Sequence, residues 1–545
     1  MGSAVATTAP SRRKVRETPV KDNWKCIMIC FAMSLANCQY GYDTATVAGF
    51  QAMVGFLKVY GYKDPKSKIG WNIETVPQQL ISSFLQIGTI IGVLLTHLFA
   101  RYYGRKPAIW AASLVSFVAA GLQVGTENLI GLYFGRLLIG ASNGFFITFA
   151  NIYTAEVSPS HLRGAIVSFF GIWVSMGSMM GAIANQYSKS YTNKLCYQIP
   201  LASLFAIPLG LSILMFFVPE SPRWLLVHGR SEEAHRALSQ LRGDSFAAHP
   251  ELLEEEFMEM KEGIEREKEL ATASSFMDMF KGTDRRRTFL CWAVVLSHSS
   301  SGISLIVAYG TYFFQMAGVQ NPFVATILKS FMGLVGVAIG IYLSYKKLGR
   351  RSMMLIGHST SAVFMAGMGI AQSVAPGTQA AGKAIVGCAF CYHFFYNGFS
   401  GAQSYPVANE LVSSRLRVVS IGTATAVNMV FAWLTAFTMP YFINPTQLAW
   451  GAKIGYVWAG SNAVTFIFLY FFLPEMRNRT LEEIDELFQE RVPTRQFAKY
   501  QCVSTERARE QVIRNVKLQG EDADDADLAG AEHKTLEVEH RELKV

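Results

Sequence analysis

Long apolar runs alternate with short polar clusters along almost the whole chain. A helix that crosses a bilayer needs about 20 mostly apolar residues. Such runs lie roughly at 26–46, 78–100, 107–127, 130–153, 164–186, 198–218, 288–314, 322–344, 352–373, 382–408, 418–440 and 453–473. The pattern predicts twelve membrane-spanning helices, spans 1 to 12. Spans 1, 4, 7 and 10 are the less uniformly apolar ones. They carry Asp43, Arg136, His298 and, at the edge of span 10, Glu410, with many Gly, Ser and Asn. Polar groups at membrane depth face a bundle interior or a cavity, and small residues let helices approach closely.

The longest polar interruption, 219–287, divides the chain into six-span halves at 26–218 and 288–473, with tails at 1–25 and 474–545. Its charged stretch EEEFMEMKEGIEREKE is expected to form short amphipathic helices on the cytoplasmic face. Residues 506–545, rich in charge and poor in aromatics, read as a disordered tail. The halves repeat each other's punctuation. RYYGRK follows span 2 and KKLGRR follows span 8; AEVSPSHLRG follows span 4 and NELVSSRLR follows span 10; PESPR follows span 6 and PEMRNR follows span 12. Paired motifs at matching places indicate an internal repeat, and carriers built this way rock their halves about a midplane site.

The loops after even-numbered spans are basic, whereas those after odd-numbered spans are poor in Lys and Arg. The first loop, with Lys58, Lys63, Lys66 and Lys68, runs against that contrast. The bias puts both termini in the cytoplasm. Composition agrees with a membrane protein: 51% of the 545 residues are hydrophobic and 16% charged, against about 25% charged in an ordinary soluble protein. The net charge of +9 does not point to nucleic acid, because the basic residues sit at the ends of apolar runs. The eight cysteines form neither a disulfide framework nor a metal-ligand spacing. The first 25 residues are polar and basic, without the small-residue cleavage site of a signal peptide, so span 1 is expected to be retained. No phosphate-binding G-x-x-x-x-G-K-[ST] loop occurs, which disfavours an ATP-driven pump. The expected class is an all-α, multi-pass membrane protein that is not an enzyme. No cofactor or metal is expected.

Several stretches together resemble the sugar porter family of the major facilitator superfamily. They are GYDTATVAGF (41–50), YYGRK (102–106), GRLLIGAS (135–142), AEVSPSHLRG (155–164), PESPRWLL (219–226), LGRR (348–351), NELVSSRLR (409–417) and PEMRNRTLEEIDELF (474–488). The resemblance covers nearly all of residues 26–500. WGAKIGYVW (450–458) and ELFQERVPTRQF (486–497) are most like fungal alpha-glucoside (maltose-type) permeases. The implied fold is the major facilitator fold of two pseudo-symmetric six-helix bundles.

Asp43 and Arg136 frame the candidate chemistry. A lone charge at mid-bilayer costs at least about 2.5–3.5 kcal/mol, and an opposed pair neutralises itself. A carboxylate's proton affinity depends on its burial and on the distance to a guanidinium. A rocking motion that alters this distance therefore alters proton binding. The resemblance implies that Asp43 and Arg136 couple transport to protons; the rival reading is an inert packing pair.

The resemblance also places the substrate on spans 7 and 10. Where hexose carriers have two Gln, then Ser-Gly, then Asn, this chain has His298 and Ser299, Ser301 and Gly302, and Ser304. Gly171 replaces a span-5 Gln, and Ala402 and Tyr405 replace a span-10 Pro and Trp. Shorter side chains leave room for a larger cargo. The expected lining residues are His298, Ser299, Gly302, Ser304, Tyr309, Tyr405 and Asn428. His298 is also weighed as a second titrating group.

Conformational gating is implied for Arg105, Glu156, Arg163, Glu220, Arg223, Arg350, Glu410, Arg417 and Glu475, with Glu410 set against Arg415 or Arg417. These groups are expected to tie helices together in the outward-facing state; simple positive-inside anchoring is the alternative. The family's Asp three residues before the GR glycine is absent, and Arg101 and Lys346 stand there. The expected function is proton-coupled uptake of a sugar, a disaccharide such as an alpha-glucoside, through the plasma membrane. The alternative is a carrier, in either direction, of a sugar-like or aromatic secondary metabolite, a polyol or a quinate-type acid. The expected partners are that small molecule, the proton and the lipid bilayer.

Overall fold

The computed structural model describes residues 23–65, 70–159, 162–243, 250–272, 275–316, 318–346, 348–413, 415–444, 446–477, 479, 481–497 and 500. The protein is almost wholly helical. Among the described residues nine helices are long and apolar enough to cross a membrane. They are span 2 (Thr75–Tyr102), span 3 (Arg105–Gly125), span 4 (Leu129–Val157), span 6 (Leu195–Phe217), span 7 (Gly282–Ala308), span 8 (Pro322–Ser344), span 9 (Arg350–Val374), span 11 (Arg417–Ile443) and span 12 (Gly451–Phe472). Spans 1, 5 and 10 are interrupted. Span 1 runs as Trp24–Ser34 and Ala36–Phe50, and span 5 as Arg163–Val167 and Phe169–Ser188. Span 10 runs as Gln379–Phe395, a π turn at Tyr396–Gly401, and Ser404–Leu411. Buried polar residues such as Asn37, Gln39, Asp43, Asn185, His393 and Gln403 dilute the hydropathy of these three.

Glycines set the close packing, and the repeat shows in it. A Cβ on Gly88 of span 2 would collide with the Leu137 carbonyl of span 4, and one on Gly140 with the Leu85 carbonyl. Spans 8 and 10 make the corresponding contact, with Gly340 seated against Gly398. Small residues of this kind drive helix association where lipid removes the hydrophobic incentive.

Span 2 packs along span 11 and span 5 along span 8, which joins the halves. At the end away from the 219–287 segment the joint is polar. Tyr312 Oη donates to Asn72 Oδ1 at 3.3 Å, and Asn444 Nδ2 donates to the Ile73 carbonyl at 3.2 Å. The outer continuation of span 7, Gly310–Met316, rests there on span 1. The molecule is therefore closed at that end. The all-α reading misses one small feature there. After the short helix Val54–Tyr60, Tyr62–Lys63 pairs antiparallel with Trp71–Asn72. Strands of two residues leave no alternation for sequence analysis to detect.

The linker forms the helices Pro222–Val227, Ser231–Arg242 and Pro250–Thr272. Ser221 caps the first by accepting from Trp224 N. Glu232 and Glu233 stand in the first turn of the second and Arg242 in its last, as the helix dipole favours. Gly243, at φ +69°, ends it in a conformation that side chains rarely adopt. Trp224, Leu225, Leu238, Leu253 and Phe257 form the shared core. Arg242 is buried: its Nε donates to Glu256 at 2.8 Å, and its Nη1 donates to the Val157 carbonyl at 3.1 Å beside Cys26 Sγ. It fastens the linker to spans 1 and 4.

Candidate functional site

Asp43 and Arg136 meet in the middle of the first half. Both are fully buried, and Arg136 Nη1 donates to Asp43 Oδ1 at 2.7 Å. Arg136 Nε donates to the Ile81 carbonyl at 3.2 Å, and Asn143 Nδ2 to Asp43 Oδ2 at 3.4 Å. The pair thus draws on spans 1, 2 and 4. Two charges taken from water are tolerable only when geometry and extra hydrogen bonds compensate, and both conditions hold here.

Tyr40 lies three residues before Asp43 and so shares its face of span 1. Its ring meets Gln86 of span 2 and is an electrostatic neighbour of Tyr405 and Tyr396 across the boundary between halves. Tyr40 and Tyr405 are both half-buried, so each keeps some exposed surface at the boundary between the halves. This is the candidate cleft. On its second-half side, the His298 ring sits edge-on to Tyr396, with centroids 5.7 Å apart. Ser299 Oγ donates to Asn428 Oδ1 at 2.7 Å, which orients the amide and leaves its Nδ2 for other acceptors. Ser304 is half-buried, one turn along span 7.

Two expected lining residues are placed otherwise. Tyr309 is 1% exposed and its hydroxyl donates to the Ala436 carbonyl at 2.8 Å, so it packs spans 7 and 11 together rather than lining a cleft. Gly302 has φ +86°, and a Cβ there would lie 2.6 Å from the Trp458 ring. Its part is to let span 7 bend: Ser301 closes Gly282–Ser300 and a new helix starts at Ile303.

Sequence reasoning missed Tyr40, Gln86, Asn143, Tyr396 and, above all, Lys329. Lys329 is 5% exposed within span 8, and its Nζ donates to the Ile306 carbonyl at 3.2 Å. That carbonyl lies at the second break of span 7, where Ile303–Ala308 gives way to Gly310–Met316. His393 of span 10 is its electrostatic neighbour. Among the described residues no carboxylate pairs with Lys329. The signal was available in the sequence: a lone cation within an apolar run.

The gating candidates assemble on the linker side, in the same pattern in both halves. Arg105 grips Glu156 through Nε at 3.0 Å and Nη2 at 2.5 Å, and Ser221 Oγ donates to Glu156 at 2.6 Å. Glu220 accepts from the backbone N–H groups of Arg105 and Lys106 at 2.9 and 3.1 Å, capping span 3. A Cβ on Gly104 would strike that carboxylate. In the second half Arg350 pairs with Glu410 at 2.9 Å, and Glu475 fills the same place against Gly349. Arg415, expected beside Glu410, pairs with Asp284 at 2.7 Å. Arg163 heads span 5, Arg223 lies in the Pro222–Val227 helix, and Arg417 heads span 11. These pairs join helices within a half, and they are formed while the opposite end is closed.

The family model described as Sugar (and other) transporter matches residues 29–488. The chain is 27% identical over 494 residues to the major facilitator-type transporter ecdD of Aspergillus rugulosus, covering 88% of this chain and 90% of that one. It is 29% identical over 466 residues to the general alpha-glucoside permease of Saccharomyces cerevisiae, covering 84% and 74%. The structure of the major facilitator superfamily proton:xylose symporter XylE bound to 6-bromo-6-deoxy-D-glucose is similar in fold. Its TM-score is 0.67 at 20% identity, covering 86% of this chain and 100% of that one.

Proposed function

The chain belongs to the sugar (and other) transporter family, and from that premise we propose that it carries a disaccharide such as an alpha-glucoside inward together with a proton. It is a multi-pass membrane transporter of the major facilitator fold, and the proposal concerns its cargo, its coupling and its setting. The observation that carries the coupling is the buried Asp43–Arg136 pair one turn from Tyr40. A cargo that draws Tyr40 toward Tyr405 moves span 1 relative to span 4. Arg136 then holds Asp43 more or less tightly, and proton binding follows. The proton gradient supplies the work, and no cofactor enters the scheme. The alpha-glucoside permease and the proton:xylose symporter among the similar proteins support a saccharide and a proton respectively. Both termini lie in the cytoplasm and the membrane is the plasma membrane.

A second reading gives the same carrier an aromatic or acidic hydroxylated cargo, in either direction. Tyr40 and Tyr405 favour it, since the half-buried positions at the boundary between the halves carry rings rather than amides. The deciding experiment is uptake of labelled maltose into cells stripped of their own carriers. It is competed with lactose, cellobiose, glucose, polyols and quinate while external pH is recorded. Maltose-dependent alkalinisation supports the proposal. Uptake displaced only by quinate or an aromatic compound replaces it with the second reading.

A further inference from the structure

Where span 3 begins, span 6 ends and the first two linker helices meet them, the molecule has a cavity of about 430 Å³. That volume falls within the range of small-molecule sites, about 300–1,000 Å³. The cavity belongs neither to the cleft nor to the Asp43 pair. Its lining combines apolar and aromatic residues, Pro107, Trp110 and Trp224 among them, with charged ones.

The lining charges do not balance. Both oxygens of Glu220 are taken by backbone N–H groups. Glu233 is held by Arg230 through two bonds, at 2.9 and 2.6 Å. Among the described residues Arg236 pairs with the outlying Glu232 alone, at 3.5 Å across open surface, an arrangement that contributes little. Lys106 meets no carboxylate among the described residues, and its Nζ lies 5.7 Å over the Trp110 ring. The lining thus sets three cations, Lys106, Arg230 and Arg236, against two carboxylates, and Lys106 and Arg236 are the cations that neither carboxylate of the lining pairs with among the described residues.

The cavity's level in the membrane can also be read. The Trp110 ring is 5.3 Å from that of Phe216, and Phe216 and Phe217 are 72% and 80% exposed on span 6. Exposed apolar rings on a membrane helix face acyl chains. Tyr102 and Tyr103 stand exposed at the neighbouring end of span 2, where aromatic side chains mark the headgroup layer. One wall of the cavity thus meets hydrocarbon and the other is basic. A free inorganic anion has no use for the first wall. A basic pocket beside membrane helices suits a lipid headgroup.

We propose that this cavity binds an anionic phospholipid of the leaflet on the linker side. Its phosphate sits on Lys106 and Arg236, and an acyl chain lies along Trp110 and Phe216. The inference does not depend on the cargo or on proton coupling. The purified full-length chain in neutral detergent is titrated with short-chain phosphatidylserine, short-chain phosphatidylcholine or inorganic phosphate. The melting temperature is followed, and retained lipid is counted by native mass spectrometry. Phosphatidylserine is expected to raise the melting temperature saturably, at concentrations where the other two do little. Each cation at an anionic surface corresponds to about a five-fold change in affinity. Lys106→Gln should therefore shift the phosphatidylserine midpoint about five-fold, and Lys106→Gln with Arg236→Gln about 25-fold. If the double variant does not fold, Lys106→Gln and Arg236→Gln taken singly decide. Equal effects of the two lipids, or a midpoint unmoved in the variants, overturn the proposal. Inorganic phosphate alone reproducing the whole shift overturns it in favour of a free-anion site.

Discussion

Arg136 binds Asp43 with one arm of its guanidinium and the backbone of Ile81 with another, so a single buried side chain ties three helices at the core of the first half. Removing one member of a buried pair leaves an uncompensated charge, at a cost of about 3–5 kcal/mol. Asp43→Asn and Arg136→Gln are each expected to lower thermal stability markedly. The double variant is expected to recover much of the loss, because residues in contact are not additive. Melting curves of the four proteins check this. Separately, sugar-driven alkalinisation should vanish in Asp43→Asn while sugar exchange down its gradient persists.

The hydrogen bond from Ser299 to Asn428 fixes an amide beside Tyr405. Ser299→Ala removes the positioning bond but not the amide, and should weaken sugar binding by about 1 kcal/mol, roughly five-fold in KM. Asn428→Ala removes the donor itself and should cost more. Equal effects of the two substitutions in transport kinetics would refute the positioning role of Ser299.

At Gly302 a side chain meets both a left-handed backbone and the Trp458 ring. Gly302→Ala is expected to destabilise by at least about 1–2 kcal/mol, with a visible drop in folded protein. Gly302→Ala combined with Trp458→Ala should regain only the part due to the collision, because the backbone strain remains. Fluorescence size-exclusion profiles of detergent extracts give the comparison.

Lys329 offers a test in which stability and activity part company. A buried charge that pairs with no carboxylate among the described residues stabilises little, and replacing buried ionic groups with apolar ones is often neutral or favourable by about 1–4 kcal/mol. Lys329→Met should leave the melting temperature unchanged or raised. It also frees the Ile306 carbonyl at the break of span 7 and should slow uptake several-fold. A variant that simply melts earlier would mark Lys329 as structural.

The cost of charge in lipid explains what could be read in advance. Apolar length located the spans, and the expense of Asp43 and Arg136 drew attention to both. Lys329 obeys the same rule but is hidden, because the run around it in span 8 is otherwise apolar. Direction was harder. Nothing in the sequence says that the Tyr309 hydroxyl turns to Ala436 while Tyr405 keeps open surface. Arg350, which pairs with Glu410, is distant from it in sequence, whereas the nearby Arg415 pairs with Asp284. Close spacing along a chain is a poor guide to pairing once helices reverse. The repeated PE motifs were visible as motifs, yet their service as lids over the glycines of GR required coordinates.

Arg242 has a mechanical consequence. Its fork holds Glu256 of the linker, and its remaining nitrogen holds the end of span 4 beside the start of span 1. The linker is thus geared to the two helices that bear Asp43 and Arg136. A load applied to the linker outside the bilayer becomes a torque on the pair within it.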